Sequence, residues 1–578
     1  MKKTVYTTLC LIFSLCTAAQ QYYIKGQVKD ESGNSLQNVS ILLHSTGYLY
    51  SSGSQGTFGI LSNMIEDTLT FFRDGYERQK VSVMALNFVD VVLKKKPSVM
   101  VSTTAKLASA TQNLNRDVQQ KWFAGEETYA STIENHFISA ADYPVTAITL
   151  NTDKASYSNI RRFLNANTVV PPDAVRLDEM LNYFNFSYTE PPGDKTFDIN
   201  SILTSCPWNK NSNLLFTHIH GKKIKLDSLP ATHLVFLVDV SGSMDMPNRL
   251  PVLKSGFKSL VNNLRSQDSI TIVVYGGSVG IALPITGGDE KQTIFRAIDS
   301  LQAGGSTPGE SGIKTAYRLA KDHFIPNGNN RVVLATDGDF NVGLKTETDL
   351  DELITREKAS GIYLTCLGIG MGNYKDSKIQ ALAQRGNGNF SYIDSYAEAE
   401  KVLLQEFTQT LYTIADDASL TVRFHPQYVK EYRLIGFDNK VGAVRDSASV
   451  VEGGEVGSAF STILAFEIIP MGVGTIEQKP VDFLLQYKDP KTGDKMVIDE
   501  TPVLSFTPFK QLTACHKFAT AVMMFGSLLR KSKFVKTSWN DVADLAKASA
   551  DSTYSQQEFL KLIEQGKKIY SKKRKKDE

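Results

Sequence analysis

Apolar and polar positions divide this chain into stretches with different periods. Between residues 22 and 95, short alternating segments (YIKGQVKD, VSILLH, TFGIL, DTLTFF, FVDVVLKK) are separated by Ser-Gly-Asn and Asp-Gly turns. That spacing predicts a small antiparallel sandwich. Residues 96–125 are polar, rich in Ser, Thr, Ala and Gln, and without a sustained period, which reads as a linker. From 232 to about 400 the runs THLVFLVDV, SITIVVYG, RVVLATDG, IYLTCLGIG and FSYID are apolar throughout. Amphipathic stretches lie between them: Leu253, Phe257, Leu260, Val261 and Leu264 share one helical face, as do Ile313, Tyr317, Ala320 and Phe324. Strands that are apolar on both faces and alternate with helices predict a parallel sheet covered on both sides, a doubly wound, Rossmann-like α/β domain. Strands return over 415–508 (SLTVRF, EYRLIGF, STILAFEIIP, DFLLQYKD, KMVIDE), and 509–571 is helical, with Leu512, Cys515, Phe518, Ala519, Val522, Phe525 and Leu529 at three- and four-residue steps.

The chain is therefore read as multi-domain, α/β plus β. The α/β domain (231–405) has β-rich accessory regions on either side, 126–230 and 406–575, the latter ending in helices. Neither flank is large enough to build a comfortable core alone, so their strands are expected to pair into one sandwich with the α/β domain inserted between them.

Composition bears mainly on compartment and partners. The 578 residues carry a formal net charge of +2, which gives no case for nucleic-acid binding. The last twelve residues, 567–578, hold seven basic and two acidic side chains. That tail is a solvated end or a peripheral contact with an anionic envelope surface. Residues 1–20, MKKTVYTTLCLIFSLCTAAQ, have two lysines, an apolar stretch and small residues, the layout of a secretory signal peptide cleaved after Ala19. The expected location is the periplasm, outer membrane or cell surface. Leu15 is bulky where lipoprotein signals use a small residue, which argues against a lipid anchor at Cys16. Of five cysteines, Cys206, Cys366 and Cys515 remain after cleavage, too few and too far apart for a disulfide scaffold.

One constellation carries chemistry. The first strand of the α/β domain ends in Asp239-Val-Ser241-Gly-Ser243, a Gly-rich loop places Thr307 before a helix, and Thr336-Asp337-Gly338 ends another strand. In a doubly wound sheet these loops converge beyond the C-terminal strand ends. They supply neutral hydroxyls and two carboxylates, a donor set for a hard cation such as Mg²⁺. The hydroxyls would bind the ion directly, and Asp239 and Asp337 would hold its waters and balance its charge. No thiolate or imidazole is near in sequence, which disfavours zinc.

This arrangement resembles the metal-ion-dependent adhesion site of von Willebrand factor A domains, with Asp239, Ser241, Ser243, Thr307 and Asp337 at the matching positions. The resemblance implies bound Mg²⁺, with Mn²⁺ or Ca²⁺ as alternatives, and an open coordination position completed by an acidic residue of a protein partner. Met244, Asp245, Asn248, Phe340 and Asn341 in the surrounding loops would then set partner specificity. LVFLVDVSGSM, GNGNFSYIDS, EYRLIGFDN and FATAVMMFGSLLR, with the stretch from 144 onward, resemble bacterial A-domain proteins of the YfbK type over roughly 125–570. The glycines and apolar positions of 22–95 (Gly26, Val28, Asp30, Gly33, Val39, Gly56, Phe58, Gly75, Tyr76) resemble the carboxypeptidase regulatory-like domain, which implies no catalysis.

Other signals are weaker. Gly368-Ile-Gly370-Met-Gly372 lacks dinucleotide-binding spacing and reads as a strand-exit turn. His218 and His220 in FTHIHG lack the second pair that a zinc site needs and read as solvated or core histidines. Asp153, Arg161, Arg162, Asp173, Arg176 and Glu179 read as a salt-bridged surface face. The expected function is a secreted, metal-dependent protein-binding module rather than an enzyme. Its alternatives are an assembly scaffold of an envelope complex and, less favoured for want of a placed general base, a metal-dependent hydrolase.

Overall fold

The computed structural model describes residues 22–577, except 47–48, 74–75, 96–105, 109–121, 125–126, 130–133, 151–152, 185, 187, 226–227, 277, 306–308, 339–353, 355, 358–359, 371–375, 387, 437–452 and 473–478. The proposed signal peptide, most of the linker, Thr307, Phe340 and Asn341 thus lie outside the described residues. The chain divides into two compact units, residues 1–103 and 104–578.

In the first unit, alternation along each strand produces two sheets face to face. One runs in the order 57–62, 22–30, 88–93 and the other in the order 49–51, 40–43, 66–72, 79–84. Ile24, Val28, Ile41, Leu43, Phe58, Ile60, Leu69, Phe71, Val91 and Leu93 fill the space between them. The sandwich is not wholly antiparallel: the first strand, Tyr22–Asp30, runs parallel to the last, Phe88–Leu93. The chain passes through the opposite sheet between these two strands, so it can return in the same direction. Gly26 faces this pairing so closely that a Cβ would lie 2.1 Å from the Val89 carbonyl oxygen.

The second unit contains the doubly wound domain. Its sheet runs 278–287, 269–276, 232–239, 329–336, 362–369, 390–393. All pairings are parallel except the edge hairpin of 278–287 with 269–276. The central strand Thr232–Asp239 is buried along its whole length. Leu234, Phe236 and Val238 pack with Leu253, Phe257 and Leu260 of the helix Leu250–Asn262. Val235 and Leu237 point the other way, onto Ile313, Ala316, Tyr317 and Ala320 of the helix Gly309–Asp322. Cys366 is buried within the 362–369 strand, and Cys206, Cys366 and Cys515 are all free thiols. Phe324 departs from expectation. The helix ends at Asp322, so Phe324 falls past the face its spacing implied and is 40% exposed.

Strands from before and after this domain share two further sheets. Asn213–Gly221 pairs antiparallel with Ser461–Pro470, and Val145–Thr149 with Thr413–Phe424. One sheet runs 138–139, 429–435, 461–470, 213–221, 197–205, 506–507. The other runs 495–500, 481–488, 413–424, 145–149, 106–108, with 454–457 beside 413–424. Leu215, Ile219, Leu420, Val422, Phe466 and Phe483 belong to their common core. The doubly wound domain is an insertion in a sandwich built from both flanks. A third core gathers the helices 155–165, 177–182, 514–530, 539–549 and 554–577, with Phe518, Val522 and Phe525 in it as their spacing predicts.

The charged residues of 153–179 correct the surface-face reading. Arg161, Arg162, Arg176, Glu179 and Asp153 are buried, and only Asp173 is half-exposed. Arg162 forks onto Glu127 at 2.7 and 2.9 Å, and Arg176 reaches Glu179 and, at 2.7 Å, Asp376. Asp153 accepts from the Phe390 amide at 3.0 Å. Burial, reinforced by the Glu179 charge, pushes its carboxyl up to about 8. The helices 155–165 and 177–182 lie between the doubly wound domain and the C-terminal helices, so their polar faces meet protein rather than water.

His218 and His220 are core residues, with ring centroids 4.0 Å apart and a His218–Ser461 contact of 3.2 Å. Burial, with the charges of His220 and His516 adding, depresses the His218 imidazole to about 3. An unfolded chain takes up protons on this histidine below its ordinary value of 6.5, while the folded chain resists until about 3. This contribution to stability is therefore complete above the ordinary value and declines as pH falls through that window. His218→Gln is expected to shrink the drop in melting temperature between pH ~7.5 and ~5.5, as measured by calorimetry.

Candidate metal centre

The loops named from sequence meet at the C-terminal edge of the doubly wound sheet, where the strand order reverses on either side of the 232–239 strand. Asp239 ends that strand, and Asp337 directly follows its neighbour Asn329–Thr336. Both carboxylates are buried. Asp239 Oδ1 accepts the Ser241 amide at 2.9 Å, which turns the chain sharply after the strand. Its Oδ2 accepts from the hydroxyls of Tyr275 at 3.2 Å and Thr336 at 3.1 Å. The Ser241 and Ser243 hydroxyl oxygens lie 3.0 Å apart. Thr307 lies outside the described residues. The loop that leads to it is tied to the first: the Gly242 amide donates to Gly305 O at 3.1 Å and the Gly304 amide to Val240 O at 2.7 Å.

Burial raises the Asp239 carboxyl to about 6, and the nearby Asp337 charge pushes in the same direction against the Ser241 hydrogen bonds. Two carboxylates are thus held close together under low solvation, an arrangement that a cation relieves. Arg249, just before the helix 250–262, supplies one positive charge. Its Nη1 donates to Asp337 and, at 2.6 Å, to the Ser243 carbonyl. Tyr275, Thr336 as a support of Asp239, and Arg249 as a partner of Asp337 are the members that sequence reasoning missed. Each lies a strand or a loop away from the carboxylate it holds, and no local pattern marks them.

Of the proposed partner-facing residues, Asp245 is exposed and Asn248 half-buried. Met244 needs correction. It is fully buried and packs in the core with Leu250 and Leu253, because the turn Gly242–Asp245 folds it inward. With Asp245, Pro251, Lys254, Gln302 and Ala303, Met244 lines a cavity of about 320 Å³ beside this turn. Gly370 directly follows the 362–369 strand at φ +82°, a left-handed exit that suits glycine, while Met371 and Gly372 lie outside the described residues.

The description "von Willebrand factor type A domain" matches residues 233–409, "von Willebrand factor" matches 124–216, and "Uncharacterized protein YfbK, C-terminal" matches 409–569. The "Uncharacterized protein YfbK" of Escherichia coli (strain K12) is 36% identical over 471 residues, 76% of this chain and 81% of that protein. The chain belongs to the YfbK family. It therefore carries a von Willebrand factor A domain, a fold suited to protein–protein interaction or adhesion. The "Uncharacterized protein sll0103" of Synechocystis sp. is 26% identical over 213 residues, 36% of this chain and 47% of that one. Among solved structures, the von Willebrand factor type A protein from Catenulispora acidiphila is 14% identical with a TM-score of 0.40, covering 65% of this chain and 91% of that one. The ArnB paralog VWA2 from Sulfolobus acidocaldarius is 16% identical with a TM-score of 0.35, covering 65% and 98%.

Proposed function

We propose that this YfbK-family chain is a secreted, envelope-associated binding protein whose A domain captures a protein ligand through a Mg²⁺ site. The observation that carries the reading is the Ser241–Ser243 hydroxyl pair, 3.0 Å apart beside two buried carboxylates. Hydroxyl oxygens gathered in this way beside carboxylates are a donor set for a hard cation such as Mg²⁺. The donor set fits Mg²⁺.

In this reading Ser241, Ser243 and Thr307 hold the ion, and Asp239 and Asp337 orient its waters. The bound ion supplies an electrophilic position to which a partner's carboxylate can coordinate. Tyr275 and Thr336 fix the Asp239 carboxylate, and the backbone bonds from Gly242 to Gly305 and from Gly304 to Val240 keep the two loops in register. Asp245 and Asn248 stand beside the site, and a partner would be selected by them together with Phe340 and Asn341, which lie outside the described residues. The N-terminal MKKTVYTTLCLIFSLCTAAQ supports export, and the basic tail supports a peripheral envelope contact. An assembly scaffold remains the second reading, because insertion in the sandwich and the buried ion pairs at its edge would present the A domain rigidly to a sibling protein.

Affinity capture from envelope extracts tests the proposal. A partner retained in Mg²⁺ and released by EDTA is expected, and Asp239→Ala and Thr307→Ala should each lose it while keeping the native thermal transition. Capture by either variant in EDTA would show that the interface lies elsewhere.

A further inference from the structure

Arg249 is built into the site. Its side chain is buried, with only 3% of the residue exposed. Its guanidinium bonds the Ser243 carbonyl and the Asp337 carboxylate. Its stem crosses Gly370, where a Cβ would come within 2.5 Å of Arg249 Nε, so a side chain at 370 would push the arginine away. Gly370 is fixed in turn by the Tyr392 hydroxyl, which donates to its carbonyl. The arginine is thus seated from both sides, by the turn before its own helix and by the exit of a different strand.

Its charge changes the balance of the site. Asp239 and Asp337 alone would neutralise a divalent ion, and an arriving carboxylate would then leave the site with one excess negative charge. Among the described residues, Asp239, Asp337 and Arg249 sum to a single negative charge, so with the ion they are left one positive charge in excess. We propose that Arg249 is a specificity-determining residue that weakens metal binding in the absence of ligand and reserves tight binding for a ligand that brings a carboxylate. The inference rests on the metal reading of the preceding section. By linkage, metal and carboxylate each strengthen the other's binding by the same factor, and Arg249 enlarges that factor.

The test is titration of Mn²⁺ into the full chain, followed by the electron paramagnetic resonance signal of the free ion, with and without sodium acetate at constant ionic strength and pH. Wild type is expected to bind Mn²⁺ more tightly in acetate. Arg249→Gln should bind Mn²⁺ roughly tenfold more tightly than wild type without acetate, since a nearby like charge has been removed, and should gain little when acetate is added. Arg249→Lys keeps the charge and should resemble wild type. Calorimetry in EDTA checks that each variant is folded. A folded Arg249→Gln that binds Mn²⁺ no better than wild type, or responds to acetate as wild type does, overturns the inference and leaves the metal site standing. If neither wild type nor Arg249→Gln binds Mn²⁺, the metal reading falls and the inference with it.

Discussion

Arg161→Ala is expected to destabilise the chain by roughly 3–5 kcal/mol, the cost of stripping one partner from a buried ion network. Arg161 Nε donates to Asp394 at 2.8 Å, Nη1 to Glu558 at 2.8 Å and to the Tyr183 hydroxyl at 3.1 Å, and Nη2 to Glu398 at 2.8 Å and again to Asp394. Asp394 follows the last strand of the A-domain sheet, Glu398 lies in the next helix, and Glu558 belongs to the C-terminal helix 554–577. One guanidinium therefore ties three parts of the structure together. Burial already holds the Asp394 carboxyl above its ordinary range, with the arginine opposing that shift. Without the arginine, Asp394 and Glu398 become buried carboxylates facing each other. The expected result is a lowered calorimetric transition and faster proteolysis near residues 394–411. Arg161→Lys, which keeps the charge but not the fork, should fall between the two. An unchanged transition for Arg161→Ala would show that the network is energetically idle.

That network was the least legible part of the chain. The three carboxylates on Arg161 lie 233, 237 and 397 residues away in sequence. An arginine on a helix looks the same in sequence whether water or protein covers it. Long-range packing decided its burial, and the surface reading of 153–179 failed for that reason. The same blindness hid Tyr275 and Thr336 behind Asp239, and Arg249 behind Asp337. Met244 failed differently: its neighbours in the motif face the loop surface, but a tight turn sends this one side chain into the core.

The doubly wound sheet was legible because each of its central strands is buried on both faces and so reads as an unbroken apolar run, as in Thr232–Asp239 and Ile362–Ile369. The site was legible where it is local. Asp239, Ser241 and Ser243 lie within five residues, and Asp337 follows a strand end that the sequence marks with Asp-Gly. Pairing of the two flanks could be anticipated because each is β-rich and short of core. Their register could not, because Asn213–Gly221 and Ser461–Pro470 are separated by the whole A domain.

In the proposed site Asp239, Ser241, Ser243, Thr307 and Asp337 hold a divalent cation. Asp239→Ala should abolish binding, because it removes the carboxylate that both orients the loop through the Ser241 amide and balances the ion's charge. The fold should survive this change. Alanine removes a carboxyl that burial holds above its ordinary range, which offsets the loss of the bonds from the Ser241 amide and the Tyr275 and Thr336 hydroxyls, and the apolar core of the sheet is left as it was. The most direct measurement is calorimetric titration of Mn²⁺ and Mg²⁺ into wild type and Asp239→Ala, with each protein's thermal transition recorded alongside. Saturable one-site binding by wild type, absent from a folded Asp239→Ala, is the predicted result. Equal binding by both proteins, or none by folded wild type even with acetate present, would contradict it.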